Sequence, residues 1–209
     1  MKANEEKRKI TILGMGPTAY ERRINIEEYV SGTEVWGLNN GYLSFPQLHG
    51  KWARFFELHK WSYLQTWDAG QGKDHFQELN ALGCPVYVTE PIPLVLNQCR
   101  VNWVDVIRHH SCNYFLGSPS LMLMLALYEH DNGQEIEEIR SWGIDTSDPS
   151  HGQQRASWAF WIAQAKARGI EITGTALDFF TEYENDDGLR GLREGIGDHI
   201  VHQLNQQET

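Results

Sequence analysis

The chain has 209 residues, 41% of them hydrophobic and 22% charged, a balance that supports a packed core and excludes a disordered body. Its formal net charge of −10 disfavours non-specific attraction to nucleic acid, and no apolar run is long enough to cross a bilayer, so no membrane contact is expected. Cys84, Cys99 and Cys112 show no CxxC spacing, which argues against a disulfide framework and a zinc ribbon and predicts reduced thiols in the cytoplasm.

After a charged opening, 1–9, that is expected to fray, Lys9–Leu13 reads as an apolar strand running into Gly14-Met15-Gly16-Pro17-Thr18-Ala19. Glycines at 14 and 16 let the backbone turn tightly and approach a ligand, and Pro17 suits the first turn of a following helix. Free amides at such a helix start, with the dipole behind them, attract an anion. A helix is expected over Tyr20–Tyr29, a second strand over Glu34–Leu38 and a third over Ala53–Leu58. Asp74–Leu82 reads as a helix stopped by Gly83, and Pro85–Thr89 as a fourth strand. Ser118–Glu129 is apolar at nearly every position, the pattern of a buried helix, with Pro119 in its first turn and Ser118 expected at the N-cap. A strand follows over Ile136–Ile144, then an amphipathic helix over Gln154–Arg168 closed by Gly169, then a short strand over Ile170–Thr173. The polar end 203–209 is expected to fray. Strands and helices alternate throughout, which predicts a single α/β domain over 1–209. Its expected form is Rossmann-like, three-layered and built on a mainly parallel central sheet.

In such a fold ligands bind outside the carboxyl ends of the strands. Those ends carry Gly14–Thr18, Asn39 with Asn40, Glu57 with His59, and Asp145, a plausible pocket rim of glycine, amide, acid and imidazole. Gly14, Gly16 and Ala19 satisfy a G-x-G-x-x-A dinucleotide fingerprint, yet the second strand ends in Gly37-Leu38-Asn39-Asn40, without the acid that binds a ribose of NAD. An asparagine amide still serves a ribose or base edge, so a mononucleotide is allowed and no cofactor is expected.

His59 is the first candidate base, because FFELH carries it to a strand end with Glu57 two residues earlier on the same face. His151, in the loop DTSDPSHGQQR, is the second, and 146–153 is a candidate lid. Arg155 could clamp a phosphate from the start of the next helix, and the amides after Ser118 would form a second anion site. Trp61, Tyr63, Trp67 and Trp103 could stack on a sugar or base, or pack. His109 and His110 with Cys112 suggest a metal, but neighbouring histidines project in different directions, and no metal is expected.

GMGPT, WGLNNGY, FFELH, SPSLMLMLALYE and EIRSWGIDTSDPSHGQQR, in this order, resemble the Rossmann-like proteins often encoded by tailed phages. More distantly, the pattern is similar to sialyltransferases of glycosyltransferase family 42 and to archaeal pterin pyrophosphokinase-like proteins. The sialyltransferase resemblance implies a nucleotide-sugar donor lying across the strand ends without metal. Gly14, Gly16, Pro17 and Thr18 would then lie beside phosphate or ribose and Asn39 would hold ribose or base. Ser118 would cap the donor-facing helix, and Gly143 with Asp145, matching a Gly-[IV]-Asp strand end, would sit near base or ribose. The family's histidine base and paired phosphate-binding tyrosines have no secure match, so the resemblance does not imply a sialyl donor. The expected function is therefore a nucleotide-dependent group transferase of the glycosyltransferase kind, with Glu57, His59, Asp145 and His151 as candidate acids and bases. A phage origin implies a modified DNA base or a nucleotide as acceptor. The alternatives are a Mg²⁺-requiring pyrophosphokinase-like phosphotransferase and a non-catalytic protein that sequesters a host signalling nucleotide. Homo-oligomerisation is left open.

Overall fold

The computed structural model describes residues 7–20, 25–71, 74–145 and 152–174. Its elements are β1 (Arg8–Leu13), a 3-10 turn (Pro17–Tyr20), α1 (Ile26–Tyr29), β2 (Glu34–Leu38), α2 (Gly41–Ser44) and a second 3-10 turn (Pro46–Leu48). There follow β3 (Trp52–Glu57), α3 (Trp61–Gln71), α4 (Asp74–Ala81), β4 (Val86–Val88), β5 (Gln98–Arg100) and α5 (Trp103–His110). The chain continues through α6 (Ser118–Asp131), β6 (Ile136–Trp142), α7 (Gly152–Ala167) and β7 (Glu171–Gly174). The seven strands form one sheet in the order β5-β4-β3-β2-β1-β6-β7, and every pair is parallel. The chain starts in the middle, steps outward to β5, then crosses back over β1 to β6 and β7. The direction of winding therefore reverses between β1 and β6, the topological switch of a Rossmann-like three-layer fold.

Period-two alternation makes the layers. Ile10, Ile12, Trp36, Leu38 and Phe56 enter one core with the helices α6 and α7, whereas Leu13, Val35 and Phe55 enter another with Ile26, Leu64, Phe76 and Leu79. α6 is buried from Met122 to Leu127 because it is covered by the sheet on one side and flanked by α5 and α7.

The amino ends of the strands are tied by charge. Arg8 makes two bonds to Glu34, at 2.5 and 2.8 Å, and a third at 2.9 Å to Glu129 near the end of α6. Arg54 of β3 reaches the other Glu129 oxygen at 2.5 Å and lies 4.6 Å over the Trp36 ring. Burial pushes the Glu34 carboxyl up, but Arg8 more than offsets this and holds it below the usual glutamate range.

The expected strands and late helices are present with shifted ends. The first helix differs: the structure has a four-residue 3-10 turn at Pro17–Tyr20 and a four-residue helix at Ile26–Tyr29, so no long helix dipole backs the glycine turn within the described residues. α3, α5 and β5 were not expected. α3 and α5 carry aromatic or β-branched residues over much of their length, and β5 is three residues of mixed polarity.

Gly37 is closely packed within the sheet by aromatic rings. A Cβ there would collide with the Phe55 ring and lie 2.7 Å from Trp52. Gly37→Ala should therefore lower stability by about 1–3 kcal/mol, read as a lower urea midpoint at unchanged slope. An unchanged midpoint would show that both rings have room to move.

Candidate active site at the carboxyl ends of the strands

Because β3, β2, β1 and β6 are consecutive and parallel, Glu57–His59, Asn39–Asn40, Gly14–Thr18 and Gly143–Asp145 all leave the same end of the sheet. The clearest chemistry is at β3. Glu57 ends that strand with its side chain 0% exposed, and His59 Nδ1 lies 2.6 Å from Oε1. The His59 backbone N–H donates to the same oxygen at 3.2 Å, and His75 Nε2 from α4 lies 3.0 Å from Oε2. The hydroxyl of Tyr42, from α2, is 2.8 Å from His75 Nδ1. Burial raises the Glu57 pKa, and the hydrogen bonds from His59 and His75 outweigh it, so the carboxyl stays below the ordinary glutamate value and is ionised near neutrality.

Asn39 adopts the left-handed conformation, φ 53°, which asparagine tolerates better than most residues, and its N–H donates to Phe56 O at 2.9 Å. Asn40 precedes α2 without capping it through its side chain. The Oδ1 atoms of both are buried and find no hydrogen-bond partner among the described residues. Two orphaned acceptors beside a buried acid are costly unless a donor from a ligand meets them.

The glycine turn differs from the expectation of free amides. Gly14 N–H donates to Trp142 O and Gly16 N–H to Gly143 O, each at 2.7 Å, so the loops after β1 and β6 continue the sheet's pairing. A Cβ on Gly14 would lie 2.8 Å from the Gly143 carbonyl carbon, and one on Gly16 would lie 2.7 Å from the Asp145 Cβ. Both glycines are thus required by the protein's own close approach, and a carboxylate group packs on Gly16 where phosphate was expected. Pro17 and Thr18 lie in the 3-10 turn that follows.

Ser118 is not the N-cap. Gly117 holds that position at φ 104° and ψ 159°, a conformation open in practice to glycine, and Ser118 is the first helical residue. Gln154 of α7 packs on Gly117, and Arg155 follows it in the first turn of α7. His151, with 146–150 of the candidate lid, lies outside the described residues; 152 and 153 begin α7.

Trp61 and Trp103 pack against the two cores, while Tyr63 is exposed with its ring 5.1 Å from that of His59. His109 and His110 do converge with a third group, but it is Asp131 rather than Cys112. Arg168 bonds both oxygens of Asp131 at 2.9 Å and holds its pKa down at about 2. The carboxylate therefore already has a cationic partner, and we read the cluster as an ion pair joining α6 to the end of α7.

Sequence reasoning missed His75 and Tyr42. His75 lies on a polar helix 18 residues beyond Glu57, a separation with no periodic signature. Tyr42 follows the turn-forming run Asn39-Asn40-Gly41, but only the structure shows it meeting His75. No model of a known protein family matches the chain, and no curated protein sequence does.

Two outcomes follow from this geometry. Gly16→Val should destabilise the fold itself, by about 1–3 kcal/mol in chemical denaturation, because its side chain would displace Asp145. Wild-type stability would mean that Asp145 swings away freely. Glu57→Gln should cost about 1–3 kcal/mol near pH 7, since an amide cannot accept from both imidazoles. The folded pKa of Glu57 lies below its ordinary 4.5, so its contribution is complete above that pH and is lost as pH falls through the folded value. The stability gap between wild type and Glu57→Gln should therefore narrow as pH falls below 4.5 and close below the folded value. A gap independent of pH would show that the ionised carboxylate is not what stabilises.

Proposed function

We propose that this chain is a nucleotide-dependent group transferase of the glycosyltransferase kind, with a nucleotide or nucleotide-sugar across the carboxyl ends of the strands and His59 as general base. One observation carries the reading: His59 Nδ1 is held 2.6 Å from a fully buried carboxylate while its side chain stays 31% exposed at the strand ends. With Nδ1–H donated to Glu57, Nε2 is the basic nitrogen of neutral His59. In the step proposed, Nε2 takes the proton of an acceptor hydroxyl as its oxygen attacks the sugar carbon. The bond from that carbon to the nucleotide phosphate breaks, and its electron pair leaves on the phosphate oxygen. Glu57 stabilises the imidazolium so formed.

The orphaned Asn39 and Asn40 oxygens suit ribose hydroxyls or an exocyclic amine. Asp145 beside Gly16 also suits a donor, such as a ribose hydroxyl. The phosphate then belongs away from Asp145, toward the start of α6 and Arg155. The resemblance to phage-encoded proteins favours a modified DNA base or a nucleotide as acceptor.

A thermal-shift panel of nucleotides and nucleotide-sugars tests the binding claim, because a ligand at about a hundred times its Kd adds about 2.7 kcal/mol. With the responding donor, His59→Asn should lower turnover roughly a hundredfold or more at near-normal donor affinity. No response to any member of the panel, or full turnover by His59→Asn, contradicts the proposal. Turnover that requires Mg²⁺ would favour a phosphotransferase.

A further inference from the structure

Glu57 is bonded by two imidazoles, and one of them is much the more open to solvent. The side chain of His75 is 12% exposed against 31% for His59, and both ring nitrogens of His75 have partners, Glu57 Oε2 at 3.0 Å and the Tyr42 hydroxyl at 2.8 Å. The protons in this chain of groups can be placed by valence. Ionised Glu57 only accepts, so His59 presents Nδ1–H and His75 presents Nε2–H to it. Neutral His75 then has its lone pair on Nδ1, which requires a donor, and Tyr42 supplies one. The rings of Tyr42 and His75 stack at 5.9 Å and the Phe76 ring lies 5.4 Å from His75, so His75 is held in this orientation.

We infer that His75 and Tyr42 are positioning residues, which pin the Glu57 carboxylate so that His59 is kept as the Nδ1–H tautomer and a proton entering the cluster goes to Nε2 of His59. The inference rests on the reading of His59 as the base. Adding a proton to His75 instead would put a second N–H against the Tyr42 oxygen, force that hydroxyl to turn, and place the charge on the more buried ring. Protonating His59 at Nε2 leaves its Nδ1–H bond to Glu57 and the Glu57–His75 and His75–Tyr42 bonds in place. The Tyr42–His75 pair thus holds one side of Glu57 fixed while the other side exchanges protons.

The test needs no substrate. In full-length protein labelled with ¹⁵N-histidine, two-bond ¹H–¹⁵N spectra recorded where both rings are neutral report each tautomer directly. Wild type should show His59 as Nδ1–H and His75 as Nε2–H. In His75→Ala, Glu57 loses one of its two imidazole donors and can turn, so the His59 signals should move toward a mixture of tautomers. His75→Gln, whose amide can still donate to Glu57, should restore the wild-type pattern. Tyr42→Phe, which removes a single oxygen, should shift the His75 Nδ1 signal and serves as the second variant should His75→Ala not fold. His59 signals that are the same in wild type and His75→Ala, or a wild-type His59 in the Nε2–H form, would overturn the inference. Because these spectra are recorded without nucleotide, a failure of nucleotide binding is distinguishable from a failure here.

Discussion

A carboxylate with no solvent exposure sits at the end of a central strand, and the arrangement around it follows from the need to satisfy that charge. Burying an unpaired carboxylate costs several kcal/mol, and Glu57 avoids that penalty through donors delivered by two separate segments, one of them braced by a third. His59 comes from the strand's own exit, His75 from α4, and Tyr42 from α2 supports His75. The register of the sheet makes this possible. Phe56 pairs with Leu38 of β2 and Glu57 with Val88 of β4, so the chain leaving β2 passes beside Glu57 just as it turns into α2. The placement of both short helices is thereby coupled to one ionised group.

The two ends of the sheet are built on opposite principles. At the amino ends, Arg8, Glu34, Arg54 and Glu129 neutralise one another and clamp α6 to three strands, an arrangement with no remaining chemistry. At the carboxyl ends, acidic and imidazole groups are paired but oriented, and two asparagine oxygens find no partner among the described residues. A rigid end supporting an incompletely satisfied end is the usual division between scaffold and site. The contact between the loops after β1 and β6 adds to the rigidity, since Gly14 and Gly143 approach too closely for any side chain.

Much of the sheet was legible because its strands are short apolar runs, ITIL in β1 and VWGL in β2, bounded by glycine and asparagine turns, the pattern of a parallel sheet buried on both faces. The strand-end rule then brought Asn39, Glu57, His59 and Asp145 to one edge correctly. α5 carried a readable start, Asn102 followed three residues later by Asp105, and the structure shows that asparagine accepting from the Asp105 N–H. Trp103, His109 and His110 in the same segment also suit stacking or metal binding, so the cap by itself does not single out a helix. The glycines at 14 and 16 were read as making room for a ligand, and the structure shows Gly143 and Asp145 packed against them: a ligand and a neighbouring backbone both demand a missing side chain, and sequence alone does not distinguish them. His75 was invisible because its role depends on a tertiary contact between β3 and α4.

The central claim is that a nucleotide occupies the carboxyl ends of β1, β2, β3 and β6 beside the Glu57–His59 pair. The most direct measurement is a titration of nucleotide, chosen by the strongest stabilisation, into uniformly ¹⁵N-labelled protein followed by amide chemical shifts. The account predicts saturable changes concentrated at Gly14–Gly16, Asn39–Asn40, His59 and Ile144–Asp145, with the amides around Arg8 and Glu34 unmoved. Changes confined to the amino ends of the strands, or none at saturating nucleotide, would contradict it.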